Sequence, residues 1–359
     1  MGLTLGGASQ PSQLAINFDS VMATSLANAR KTISDNISNS NAFFYEAKKR
    51  GLFESADGGA YIQEDLMYEL ARTDSYDSYD TLGVVGPEGI TAAFYEWRQT
   101  ATPIAYSEKE RKQNKHRVAE FVAARIKQGE LGAIDFFCKA LLQGNGAGDL
   151  TTAKTSISNG SYACDPLFRM IQTDPSSSTS SLKMVGNIDQ SSYSWWRNQV
   201  ADFSSITTSK GLLDTMDHLF NDCSKGPGGK PNLILCDQTT FELINSAYYS
   251  VYRRTADTDN DYPFPNIKFR GALVVWDENF PNLYASTLDT TSTTGGGMVM
   301  LNFEFLKVRY ESETDFVKTE FVKPANQDAK VAHILWMGNI TCNNRRKQGL
   351  GWKIPRTLT

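Results

Sequence analysis

The stretch Ser107–Gly144, SEKERKQNKHRVAEFVAARIKQGELGAIDFFCKALLQG, reads as one long helix. No proline falls between Pro103 and Pro166. Its first third, KERKQNKHR, is strongly basic. Apolar residues then recur at Val118, Phe121, Val122 and Ile126, a spacing of three and four that gathers them on one helical face. The stripe passes a weak point at Gly129 and Gly132 and resumes with Ile134, Phe137, Ala140 and Leu141. At ~1.5 Å per residue such a helix is roughly 50 Å long, the length of a spine and not of a helix within a small core. Two ordinary helices broken at the glycines are the alternative.

Working outward, the chain of 359 residues is long enough for one large or two ordinary domains with a substantial core. A hydrophobic content of 40% and a charged content of 21% belong to a globular protein. A formal charge of −4 argues against a dedicated nucleic-acid binder. The opening MGLTLGGASQPSQLAINF has neither the basic start nor the apolar run of a secretory signal, and no segment is apolar for the ~18 residues of a membrane span. The five cysteines (Cys138, Cys164, Cys223, Cys236, Cys342) are scattered and odd in number. They read as reduced, partly buried thiols of a chain kept in a reducing, soluble compartment.

Residues 1–50 read as an arm. Val21, Ala29, Ile33 and Ile37 make a narrow stripe, too small for a core, which must lie on the body or on a neighbour. Residues 57–80 are acidic, with Asp74, Asp77 and Asp80 at the end and Arg72 as the one basic residue. A hairpin follows: a strand near 80–85, a turn through GPEG at 86–89, and a strand over 90–106. The second strand bears Phe94, Tyr95 and Trp97 on both faces, with Arg98 beside them. A hairpin this long and aromatic is marginal alone in water, so it calls for cover, from a second chain or from its own core.

Beyond the spine, 145–181 has the Gly, Ser, Thr and Asn content of a surface loop. In SSYSWWRN (191–198) the adjacent Trp195 and Trp196 read as strand residues pointing to opposite faces and packing two layers. Residues 209–223 form an amphipathic helix closed by KGPGGKP. A buried strand at 232–236, a helix over 238–252 and strands at 267–269 and 272–276 give this part an α/β character. Strands are expected over 298–310, 319–322 and 331–342, the last apolar on both faces, and the C-terminus is basic (Arg345, Arg346, Lys347, Lys353, Arg356).

No constellation carries chemistry. His116, His218 and His333 are far apart and outside any HExxH pattern, and His333 reads as a core residue of its strand. There is no CxxC pair and no GxSxG elbow. KGPGGKPN fails as a phosphate loop because Lys230 is followed by Pro231 and a strand. No catalytic, cofactor-binding or metal-binding residue is assigned. The basic helix start, Lys109, Arg111 and Lys112, suits phosphate contacts or, the preferred reading, the acidic stretch at 57–80 on another copy.

The order of these elements resembles the major capsid proteins of tailed bacteriophages, the Hong Kong 97-like fold. The matching text is AFYEWRQ running through SEKERKQN into the long helix, then YSWWRN, PNLILCDQTTFELI, GALVVWD, MVMLNFEFLKVRY and AKVAHILWMGNITCNNRRKQG. The resemblance implies an α+β chain with an N-terminal arm (1–50) and an extended β-hairpin loop (73–106). It implies a discontinuous peripheral domain (51–72, 107–205 and 298–359, with the spine helix about 107–143) and an axial α/β domain (206–297). It further implies self-assembly into hexamers and pentamers of an icosahedral virion shell around double-stranded DNA held by non-specific contacts, assembled in the cytoplasm of a host bacterium. A separate scaffolding protein, a portal and cement proteins are the implied partners, with no membrane and no enzymatic activity. The candidate contacts between copies are Phe94, Tyr95, Trp97, Arg98, Lys109, Arg111, Lys112, Asp74, Asp77 and Asp80. The lysine crosslink of some members is not expected, since 73–106 contains no lysine. An encapsulin-like compartment around enzyme cargo is the alternative on the same fold, and an α/β enzyme the alternative from another class.

Overall fold

The computed structural model describes residues 42–56, 58–71, 73, 75–80, 88–114, 118–142, 164–180, 182–251, 267–281 and 294–358. The expected arm over residues 1–41, Asp74, His116, the strand at 81–85 and most of the 145–181 loop lie outside them.

Helix α1 (Ala42–Lys49) buries Phe43 and Ala47. The buried Asp277 carboxylate accepts from the Phe43 amide at 3.2 Å, beside the positive end of the helix. Residues 42–50 therefore belong to the body, which corrects the expected extent of the arm. Strands β1 (Phe53–Ala56), β2 (Ile62–Met67), β3 (Ile90–Tyr95) and β4 (Arg98–Ser107) follow. The first strand of the expected hairpin lies outside the described residues, and its second strand, expected over 90–106, is divided between β3 and β4. β3 runs antiparallel to β2, from Ile62 opposite Tyr95 to Met67 opposite Ile90. At Glu96 and Trp97 the chain leaves this ribbon and continues as β4 in a different sheet.

The spine is two helices, α2 (Glu108–Gln113) and α3 (Val118–Leu142). Ser107 and Glu110 form a reciprocal capping box at the start of α2. Its end is fixed by Asn114, buried, whose side chain donates to the Glu110 carbonyl at 2.9 Å. The interruption thus lies at a polar cap and not at the glycines, both of which sit inside a continuous α3. Gly129 is there because α3 lies close on β4: a Cβ at that position would stand 2.8 Å from Ile104. A Cβ at Gly132 would meet open space.

A single turn α4 (Leu167–Met170), the small ribbon β5 (Met184–Val185) and β6 (Ile188–Asp189), and β7 (Gln199–Asp202) come next. Residues 194–196 make a 3-10 turn and not the expected strand. Trp196 is buried and donates to the Val185 carbonyl, while Trp195 stacks on Tyr68. Helix α5 (Ser209–Ser224), capped by Thr208, strand β8 (Leu233–Cys236), helix α6 (Gln238–Val251), and strands β9 (Ile267–Phe269) and β10 (Ala272–Trp276) match the α/β expectation. The expected strand at 298–310 is two strands, β11 (Thr294–Leu301) and β12 (Leu306–Glu311). They are followed by β13 (Val317–Lys318), β14 (Ala329–Cys342) and β15 (Gly349–Pro355).

One sheet has the order β1-β12-β14-β13, with β4 also paired to β14; the other runs β7-β15-β11-β8-β10-β9. β14 alternates over its first half, with Ala332, Ile334 and Trp336 buried and His333 exposed, so the reading of His333 as a core residue is corrected. Beyond Gly338 the strand is covered on both faces, as expected. β8 is covered on both faces throughout. Leu233 and Leu235 enter the main core, which reaches α1, α3 and the five-stranded sheet, whereas Ile234 and Cys236 pack under α5 and α6. Burying each such side chain is worth roughly 1.5–3 kcal/mol.

Two short connections join the sheets, from β11 to β12 and from β14 to β15. The two joints clasp each other: the Asn302 amide donates to Gln348 Oε1 at 2.9 Å, and Gln348 Nε2 donates back to the Asn302 carbonyl at 3.0 Å. The basic C-terminus is partly interior. Arg345 is wholly buried and donates to the Met170 and Trp196 carbonyls and to Asn198. The Lys347 ammonium sits among the Ser224, Lys225, Gly226 and Gly229 carbonyls at 3.0–3.4 Å, closing the negative end of α5 and the GPGG turn.

Candidate assembly surface

The β2–β3 ribbon has two unlike faces, set by the period of two along each strand. Ile62, Glu64 and Leu66 of β2, with Ala93 and Tyr95 of β3, turn to the body and are buried. Glu64 is buried with partners: it accepts from Arg309 Nε at 2.9 Å and from the Thr341 hydroxyl at 2.9 Å. Arg309 also reaches Glu54 on β1 at 2.9 Å. The Tyr95 phenol donates to the Cys342 carbonyl at 2.8 Å, and burial pushes its pKa well up. The Phe94 amide donates to the Gly186 carbonyl of the β5–β6 turn. A charged network fastens the ribbon to the five-stranded sheet on one side, and a backbone contact holds it on the other.

The opposite face is open. Met67 and Ile90 stand opposite each other in register and are 71% and 78% exposed. Leu70, Tyr76 and Tyr79 continue this exposed series beyond the strands, and Phe94 and Tyr61 lie at its root. Of the fourteen large apolar side chains that stand exposed among the described residues, eight fall between Tyr61 and Phe94. The exposed apolar side chains are thus concentrated in this part of the chain, sharing the open face of β2 with Gln63 and Asp65.

Beyond the ribbon, residues 77–80 form a closed turn. The Asp77 amide donates to the Asp80 carboxylate at 2.9 Å, and the Asp80 amide to the Asp77 carbonyl at 2.9 Å. Tyr79 projects from this turn, fully exposed.

At the root lies a concavity of about 550 Å³ between β3, β4, α4 and the β5–β6 ribbon, walled by Tyr61, Phe94, Met184 and Met170 and floored by Arg98, Asp165 and Arg169. Asp165 receives Arg169 at 2.9 Å and Arg98 at 3.6 Å, and Arg98 also pairs with Glu96 at 3.1 Å. Asn339 fixes this group by donating to the Asp165 carboxylate and to the Glu96 carbonyl.

The residues singled out from sequence thus divide. Tyr95 is enclosed by its own chain and has no surface to offer a neighbour, which corrects its reading as a contact between copies. Arg98 is largely covered, and Trp97 is half-covered, its indole donating to the Gly59 carbonyl at 2.9 Å. Phe94, Asp77, Asp80, Lys109, Arg111 and Lys112 face solvent. No ion pair joins the acidic turn to the basic helix among the described residues. Met67, Leu70 and Ile90 were missed because nothing local tells which of the apolar residues in this stretch face outward; the strand register decides it, burying Leu66 and exposing Met67.

Among the described residues no three His, Cys, Asp or Glu side chains gather as a metal site, His218 and His333 are both exposed, and no helix is long and apolar enough to cross a membrane.

No protein-family model matches the sequence, and no curated protein matches it. Solved structures do match over nearly the whole chain. The holo-SrpI encapsulin complex from Synechococcus elongatus PCC 7942 superposes with a TM-score of 0.55 at 9% identity, covering 94% of this chain and 96% of that one. The capsid of the native GTA particle gives 0.55 at 9% identity, covering 96% and 100%. The cyanophage A-1(L) capsid gives 0.56 at 11% identity, covering 90% and 96%. At such identities the likeness is one of fold: an α+β chain with the Hong Kong 97-like architecture that the order of elements suggested.

Proposed function

We propose that this chain is the major capsid protein of a tailed bacteriophage, assembling into hexamers and pentamers of an icosahedral shell around double-stranded DNA. The observation that carries the reading is the ribbon. It is fastened to the body by Glu64 and Tyr95 and leaves Met67 and Ile90 exposed on its outer face, with Leu70 and Tyr79 exposed beyond the strands. A monomer rarely keeps such a face bare. Obligate interfaces bury on the order of 2,000–5,000 Å² or more, so a ribbon face, an arm and domain edges together suffice for a permanent assembly.

In this reading the ribbon and the residues through 106 are the extended loop, α2 and α3 with the five-stranded sheet the peripheral domain, and the segment 206–297 the core of the axial domain. β7, β11 and β15 extend the axial sheet from outside that segment. The basic residues of α2 face the acidic 77–80 turn of another copy. A scaffolding protein, a portal and cement proteins are the further partners, the shell is formed in the host bacterial cytoplasm, and its role is structural, not enzymatic.

The likeness to the SrpI encapsulin supports a second reading, a compartment around a protein cargo. The experiment is to purify native particles and read their diameter by electron microscopy, their ultraviolet absorbance ratio and their protein content. Closed particles containing DNA support the phage reading, closed particles with a stoichiometric second protein support the compartment, and a monomeric species under all conditions overturns both.

A further inference from the structure

β4 gives the five-stranded sheet a long edge that no described strand covers. It pairs with β14 along one side alone, and the register fixes which of its backbone groups point the other way. On β14, Val331 exchanges amide and carbonyl bonds with Val322. The His333 amide donates to the Thr319 hydroxyl at 2.8 Å, and the His333 carbonyl accepts from the Thr319 amide. These bonds lie on the side of β14 away from β4, so the alternate residues, Ala332, Ile334 and Trp336, pair with β4. Ile334 stands opposite Thr102 and Ala332 opposite Ile104, which commits the Thr102 and Ile104 amides to the ladder. The backbone groups of Gln99, Ala101, Pro103 and Ala105 therefore point outward, and all four residues are exposed. An open edge is a template for another strand. This one is about 33 Å long. From Gln99 to Ser107 it carries no charge. The other edge strands of the two large sheets are shorter, and each carries a charge: Glu54 in β1, Lys318 in β13, Asp202 in β7 and Lys268 in β9. On β4 the one blunting residue is Pro103.

We propose that Pro103 is a specificity-determining residue of self-association: it keeps the open edge of β4 from pairing with the β4 edge of a second copy. The edge is complementary to itself. Its outward residues include Ala101 and Ala105, so two copies approaching antiparallel meet neither like charge nor bulk. About a two-fold axis at position 103, Ala101 faces Ala105 and Pro103 faces its own counterpart. That middle pair is the one a proline abolishes, since neither ring has an N–H to give and both carbonyls are left without a donor. The subunit loses no ladder bond by carrying the proline, because the nitrogen at this position is turned away from β14. A proline two residues from a position that pairs with β14 thus stands where it blocks another chain and spares its own. The inference goes beyond the shell reading: it concerns any copies held at high local concentration, and it names a contact that ordered assembly has to avoid.

The test compares the full-length chain with Pro103→Thr, alone and combined with Ala101→Lys. Threonine restores the outward N–H and suits a strand. Lysine at the exposed position 101 blunts the edge again, by charge. Pro103→Thr is expected to keep the circular dichroism spectrum of the parent chain and to lose soluble protein on concentration, as the infrared band of intermolecular antiparallel strands grows. Adding Ala101→Lys is expected to reverse that loss. The same charge placed elsewhere, as Ser178→Lys at an exposed loop position, is expected not to reverse it. Pro103→Thr that stays as soluble as the parent overturns the proposal. So does a loss that Ala101→Lys fails to reverse or that Ser178→Lys reverses equally, and so does a Pro103→Thr chain that no longer folds, since the proline would then serve its own subunit. The shell reading stands or falls separately, on whether the parent chain forms closed particles.

Discussion

Tyr95 and Cys342, 247 positions apart, hold each other at two points: the phenol donates to the Cys342 carbonyl at 2.8 Å, and the Cys342 amide donates to the phenol oxygen at 3.3 Å. Both residues are buried, so neither backbone group has water as a substitute. The last residue of β3 is thereby tied to the last residue of β14. Tyr95→Phe keeps the ring and orphans both backbone groups, at a cost of about 1–3 kcal/mol. Urea unfolding of the unassembled subunit measures this directly. A change within error would mean that the phenol contributes no net stability.

The two glycines of α3 should respond in opposite directions. Gly132→Ala places a methyl in open space and gains helix propensity, raising stability by about 0.5–1 kcal/mol. Gly129→Ala gains the same propensity and drives its methyl to within 2.8 Å of Ile104, an overpacking that costs about 1–3 kcal/mol. Gly129→Ala should therefore be the less stable of the pair in thermal unfolding. Equal melting temperatures would argue against close seating of α3 on β4.

All five cysteines are buried, and burial raises the Cys223 and Cys342 thiols from 9.0 to about 12. The unfolded chain therefore sheds these protons first as pH rises. Their contribution to stability is intact below about pH 9 and is lost progressively toward pH 12. Melting temperature should fall across that alkaline window. An aromatic disulfide reagent should label no thiol in the folded chain at pH 8 and all five in urea; fast labelling of the folded chain would contradict the packing of both cores.

Replacing Ile90 with Lys and Met67 with Asp puts an oppositely charged cross-strand pair on the open face of the ribbon. Stability of the isolated subunit should change by no more than about 0.5 kcal/mol per site, the usual range for surface positions. Assembly should fail, read as loss of particles in sedimentation. Normal particles from the double variant would remove the ribbon from the interface.

What the sequence disclosed and what it hid follow from the range of the forces involved. β8 declared itself because LILC is a short apolar run bounded by the KGPGGKP breaker, the pattern of a strand covered on both faces. α5 showed its stripe of Leu212, Leu213, Met216, Leu219 and Phe220, all buried. The partner of β3 did not show, because nothing local distinguishes Ile62–Met67 from a loop. Its buried Glu64 breaks the alternation until Arg309, 245 positions away, is brought to it. Gly129 read as a weakness because propensity is local, whereas its purpose is a contact with Ile104 on another element. Arg345 and Lys347 read only as part of a basic C-terminus. Their acceptors are main-chain carbonyls, which carry no side-chain signature. The same holds at the assembly surface: its aromatic and acidic composition was visible, its two-faced construction was not.

The paired joints at Asn302 and Gln348 have a mechanical consequence. Tension applied to one sheet reaches the other along two short connections that grip each other beside the crossing, so neither of these joints bears it alone. A container built from such subunits would resist pressure from its contents by stretching as one skin, and its first point of yielding would be the seams where copies meet.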